Sequence, residues 1–203
     1  MIERLCRWVV VVLLSACGLS LGSGVANAQP STWYSDRPGP YVLVAGGASQ
    51  YDFDCGNTYY SSYYYDNCAS ARASAGKVGL GFRFGRNIGV EGAWTDFGRA
   101  RINGPARDSL QMQALGVNLV LSLPFGPGTE GLLRVGLADV RHSRSDDAGG
   151  AGHDLSASVG LAMLLHLGPS IGLEVGWDAA SGQGRFSGTT VGSAITVGLR
   201  LSF

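Results

Sequence analysis

Apolar and polar residues alternate with a period of two along most of the chain, the signature of strands with one apolar face. The last segment shows it most plainly. Ile195, Val197, Leu199, Leu201 and Phe203 fall on one side, and Ala194, Thr196, Gly198, Arg200 and Ser202 on the other. The same split recurs where Val78, Leu80, Phe82 and Phe84 oppose Lys77, Gly79, Gly81 and Arg83. Ile88, Val90 and Trp94 oppose Gly89, Glu91, Ala93 and Thr95. Leu115, Val117, Leu119, Leu121 and Leu123 oppose Gly116, Asn118, Val120 and Ser122. Leu133, Val135 and Leu137 oppose Arg134, Gly136 and Ala138, and a rail runs from Leu155 to Leu167. Ile171, Leu173, Val175 and Trp177 face away from Gly172, Glu174, Gly176 and Asp178. With 41–50 as the first, the pattern predicts eight strands.

The polar faces decide the fold class. In a soluble sandwich they would point to water while the apolar faces met in a core. Here Arg83, Glu91, Arg134, Glu174 and Arg200 share their side with glycines and small residues, which suits the narrow lumen of a small barrel. The bulky rails then face outward, as only a lipid environment tolerates. The connections agree: 85–87, 126–130 and 168–170 are short and rich in turn formers, whereas 51–72, 99–109, 141–152 and 180–188 are longer and polar. Short turns on one side and long loops on the other describe an outer-membrane barrel. The expected fold is all-β, an eight-stranded antiparallel up-and-down transmembrane barrel.

Beyond the leader, no stretch reaches the roughly 20 apolar residues of a transmembrane helix. The leader itself carries Glu3, Arg4 and Arg7, an apolar run from Trp8 to Leu14, and Val25-Ala26-Asn27-Ala28 as a small-residue cleavage pattern. It predicts a signal peptide over 1–28, a periplasmic segment over 29–40 and a barrel over 41–203. Leu14-Ser15-Ala16-Cys17 also resembles the lipobox of bacterial lipoproteins, which would make Cys17 a lipidated N-terminus. Cleavage after Ala28 is favoured, because an N-terminal lipid is uncommon on a protein already held by a barrel. Both routes lead to the cell outer membrane.

Charge narrows the partners. Fifteen basic and fifteen acidic residues balance, and no basic run exists to bind nucleic acid. Cys55 and Cys68 remain after the leader is removed, and an exported setting makes a disulfide the default, ahead of a zinc site with no nearby His. Neither a metal nor another cofactor is expected.

Two segments carry a family likeness. Gly85-Arg86-Asn87-Ile88-Gly89-Val90-Glu91-Gly92-Ala93-Trp94-Thr95-Asp96-Phe97-Gly98 resembles the second hairpin of the OmpA-like transmembrane domain family. There a turn with Asn precedes Gly-Val-Glu and a strand end of aromatic, Asp, aromatic, Gly. Val197 to Phe203 is similar to the C-terminal signal that outer-membrane proteins present to their insertion machinery, with Phe203 as its last residue. The favoured function is a structural barrel with slight permeability to small solutes and outer-membrane lipid around it, and the resemblance implies the insertion machinery as a partner. Full-length family members add a peptidoglycan-binding domain after the barrel, which is not expected here.

Lys77, Arg83, Glu91, Arg134, Glu174 and Arg200 are the candidate interior residues. Paired carboxylates could suggest acid–base catalysis. Buried charges demand partners, however, so an internal ion-pair network that plugs the lumen is the favoured reading, and the resemblance implies Glu–Arg and Glu–Lys pairs inside. A lipid A acyl-modifying barrel enzyme is the catalytic alternative, with His142-Ser143 or His153 and Ser156 near Asp139 or Asp154. His166 lies near a turn, as a lumen or interface residue. Six of the eight tyrosines lie between Tyr51 and Tyr65, among Ser, Asn and Asp. That composition suits contact surfaces, so a surface adhesin acting on an extracellular ligand through this loop is the other alternative. The plainer reading is a stapled loop whose aromatics pack on one another.

Overall fold

In the computed structural model the described residues are 38–53, 71–101, 109–144, 151–184 and 188–203. The leader with Cys17, the segment up to residue 37, the Cys55–Cys68 pair and the tyrosines after Tyr51 lie outside them. All regular structure among the described residues is strand. The order is β1 (Gly39–Phe53), β2 (Ala71–Arg83), β3 (Ile88–Arg101), β4 (Ser109–Gly126), β5 (Thr129–Arg144), β6 (Ala151–His166), β7 (Ile171–Gly184) and β8 (Gly188–Ser202). Each strand pairs antiparallel with the next, and β8 returns to β1, closing the barrel. Closure leaves no unpaired sheet edge.

The strands reach further than the hydrophobic pattern alone indicates. Residues 99–101, 141–144, 151, 152 and 180–184, expected in loops, continue the ladders. Backbone pairing requires no apolar side chain, so the ladder outlasts the alternation that reveals it. At the other end, the expected turn over 126–130 shrinks to Pro127 and Gly128, and Glu130 joins β5 opposite Pro124. A register shift between Pro124 and Gly126 accommodates Pro124, which has no N–H to give the ladder. A second shift separates Asp96 from Arg99, where Gly98 adopts φ +75° and forms a bulge. β1 begins at Gly39, two residues before the alternation predicts.

Side chains sort by parity. Leu80, Leu115, Val117, Leu119, Leu137, Val159, Ile195, Val197 and Leu199 are all exposed on the outer wall. Phe82, Phe84, Phe125 and Phe203 ring its short-turn end, and Trp94 stands toward the long-loop end. From Leu115 to Phe125 along tilted β4 this apolar band rises roughly 25 Å.

The lumen is filled in layers. Toward the long loops, Tyr51, Phe97, Met112 and Val140 pack with small alanines into a buried apolar plug. Tyr51 Oη donates to the Gly98 carbonyl at 2.6 Å, and Ser49 Oγ donates to the carbonyl of Phe97, tying β1 to the bulge. Toward the short turns, Val120, Leu132 and Leu164 form a second cluster. Charged side chains occupy the space between.

Candidate functional site

Alternation turns Lys77, Glu91, Arg134, Glu174 and Arg200 inward from five strands, and all five are buried. They meet across the lumen. Arg134 Nη2 lies 2.6 Å from Glu174 Oε1, and its Nε lies 2.9 Å from Glu91 Oε1. Arg200 Nη2 donates to Glu174 Oε2 at 2.7 Å and stands 3.7 Å from Glu91 Oε2. Lys77 Nζ lies 2.8 Å from Asp178 Oδ1 and 3.6 Å from Glu91 Oε1. Three cations thus face three carboxylates, and the cluster is formally neutral. Neutrality matters because the cost of burying each ion is several kcal/mol and is offset only by close opposite charge.

Tyr41 completes the cluster. Its hydroxyl donates to Glu91 Oε2 at 3.0 Å, and the Arg200 guanidinium stacks 4.1 Å over its ring. The ring lies across its cross-strand partner Gly81, where a Cβ would come within 2.1 Å of Tyr41 Cζ. Only glycine leaves room for the ring to lie flat against β2.

Arg83 stands apart from this cluster. It forms a two-pronged pair with Glu130, Nη1 to Oε1 at 3.1 Å and Nη2 to Oε2 at 2.8 Å. His166 Nε2 lies 2.8 Å from the same Oε1. Five of the six expected interior residues therefore form the central group, and the sixth, Arg83, pairs separately with Glu130 near the short turns. Asp178, on the Glu174 side of the sequence pattern, and His166, read as a lumen or interface residue, join them, as do Glu130 and Tyr41, which the sequence reading did not place inside. Parity held the signal: Glu130 continues the Leu132–Arg134 side, and Asp178 the Glu174 side.

Among the described residues the charge cluster leaves little open space beside it. A cavity of about 30 Å³ lies beside Lys77, Asn118, Arg134 and Asp178, room for a water or two. Drug-sized ligands occupy pockets of about 300 Å³ or more, so this is no substrate chamber. The sequence-adjacent catalytic pairs are also split. His142 faces the lumen over Gly152 while Ser143 is exposed on the outer wall, and Ser156 faces inward while His153 is exposed outward. Alternation along a strand enforces this separation. Among the described residues no group of three or more His, Cys, Asp or Glu is placed to hold a metal ion.

No family model matches the chain, and no curated protein matches it. Among solved structures, it is similar to the crystal structure of Neisserial surface protein A from Neisseria. That likeness has 13% identity and a TM-score of 0.65, and covers 82% of this chain and 99% of that one. It is also similar to the outer membrane protein AlkL, determined by solid-state NMR in lipid bilayers. There the identity is 10% and the TM-score 0.51, with 90% of this chain and 97% of that one covered. At such identities the likeness establishes the fold, the closed eight-stranded barrel of outer-membrane proteins. It is also the fold that the OmpA-like resemblance implies.

Proposed function

We propose that this protein is a structural barrel of the cell outer membrane, its lumen closed at rest by the neutral charge cluster. The observation that carries the reading is inversion. Leucine, valine, isoleucine and phenylalanine cover the outer wall, while lysine, arginine and glutamate are buried in the interior between two apolar clusters. In water the exposed band would far exceed the few hundred Å² that monomers present as a patch. In a bilayer it meets lipid chains as apolar as itself, and the closed ladder pairs the backbone groups of each strand with those of its neighbours. The filled lumen supports a barrier whose slight permeability depends on the cluster loosening. Export through the 1–28 leader, insertion through the Phe203 signal and a Cys55–Cys68 staple in the first loop belong to the same proposal.

Cell fractionation with gel migration tests it. The protein is expected in the outer-membrane fraction, migrating faster unheated than boiled, because a closed barrel resists detergent until heated. Recovery in the soluble periplasmic fraction with no heat-dependent shift would overturn the reading.

A further inference from the structure

We infer that the outer wall carries a binding site for a phosphorylated sugar headgroup of a membrane amphiphile, at the long-loop end of β4, β5 and β6. The inference rests on the membrane-spanning reading above. A cleft of about 480 Å³ opens there, lined by Gln111, Gln113, Asp139, Arg141 and His153 among others. The volume falls within the range of small-molecule sites, unlike the lumen cavity.

The chemistry of the cleft selects the ligand class. Arg141 and His153 expose 72% and 82% of their side chains, so both present donors outward. Asp139 stands between them, its Oδ2 3.4 Å from Arg141 Nε and its Oδ1 3.8 Å from His153 Nδ1. A site for bare phosphate would not place a carboxylate between its two donors. Asp139 and the two glutamine amides instead suit hydroxyl groups, which both donate and accept. A ligand meeting all five residues must combine hydroxyls with an anionic oxygen, as a sugar phosphate does. The present internal contacts are loose. Gln113 Nε2 reaches Asp96 at 3.4 Å and Arg99 reaches Gln111 at 3.4 Å, at the limit of hydrogen bonding, so a ligand can displace them.

Position selects the source. On the outer wall Leu115 and Leu155, the latter 74% exposed, flank Asp139 on the neighbouring strands at the waist-side edge of the cleft, and Leu137 follows Asp139 toward the barrel waist. A headgroup seated among the polar residues would lay its acyl chains over these leucines. A free sugar phosphate would gain nothing from them. The polar cleft and the apolar strip thus match the two ends of one amphiphile, held at the outer-leaflet boundary.

The test uses the full chain folded into phosphatidylcholine nanodiscs, titrated with a bisphosphorylated glucosamine-disaccharide glycolipid and read by native mass spectrometry. Parallel titrations use phosphatidylglycerol and the same sugar phosphate without acyl chains. Expected is preferential retention of the glycolipid, weakened about tenfold or more in the Arg141→Gln, His153→Gln double variant, since two charge-assisted hydrogen bonds are lost. Gln113→Ala, a milder change, should weaken it in the same direction. Equal retention by wild type and variants would overturn the site. Phosphatidylglycerol held as tightly would reduce it to general charge attraction, and the chain-free sugar phosphate held as tightly would overturn the lipid assignment. Failure of the membrane-spanning reading shows separately, as a wild-type chain that gives no heat-dependent gel shift before any glycolipid is added.

Discussion

Glu91→Ala is expected to destabilise the barrel by about 3–5 kcal/mol, the cost of leaving a buried ion pair with one side missing. Glu91 touches Arg134, Lys77 and Arg200 and accepts from Tyr41, so four groups lose a partner at once. Glu174 and Asp178 then leave three cations with two carboxylates, an excess of one positive charge in the lumen. The checks are urea unfolding of the folded chain in liposomes, where the midpoint should fall, and planar-bilayer conductance, where current through the variant should exceed that of the wild type. Unchanged values in both would remove the network from the account. Glu130→Ala should leave the central cluster's conductance effect absent, because Glu130 pairs with Arg83 and His166 instead.

Leu119→Arg is expected to cost about 2–4 kcal/mol, the range for a cation on the lipid face at the bilayer midplane. Leu119 lies on β4 about midway between Leu115 and Leu123, on the outward side. The same change at Phe84, in the short-turn ring, should cost only about 0–1 kcal/mol, because an interfacial arginine reaches water. Depth dependence distinguishes lipid from ordinary packing. Equal unfolding midpoints for the two variants would place neither residue in a hydrocarbon layer.

The outer wall was legible from sequence because a rail such as Ile195 to Phe203 repeats one property every second residue, and pleating alone assigns it to one face. Existence of the strands and the inward side of Glu91, Arg134, Glu174 and Arg200 followed from the same regularity. Partner choice did not. Arg134 meets Glu91 on β3 and Glu174 on β7 across the lumen, and such pairings depend on stagger around the closed barrel, which no single strand encodes. Glu130 was obscured by Pro127 and Gly128, whose strong turn signal extended over residues that pair in the ladder. Tyr41 was obscured by β1, where Leu43 also points inward and the alternation loses contrast. The outer cleft was less visible still. Gln111, Asp139, Arg141 and His153 lie on three strands, partly in stretches read as loops, and only the registers bring them side by side.

Nitroxide labels placed one at a time from 115 to 123 along β4, in a chain whose cysteines are replaced by serine, test the account most directly. In bilayers, labels at 115, 117, 119, 121 and 123 should be accessible to dissolved oxygen and shielded from a water-soluble paramagnetic reagent, with shielding deepest near 119. Labels at 118 and 120 should be sheltered from both, because these positions, where Asn118 and Val120 are buried, face a filled lumen. Odd positions open to the water-soluble reagent, or no alternation along the series, would contradict a barrel whose leucine rails face lipid.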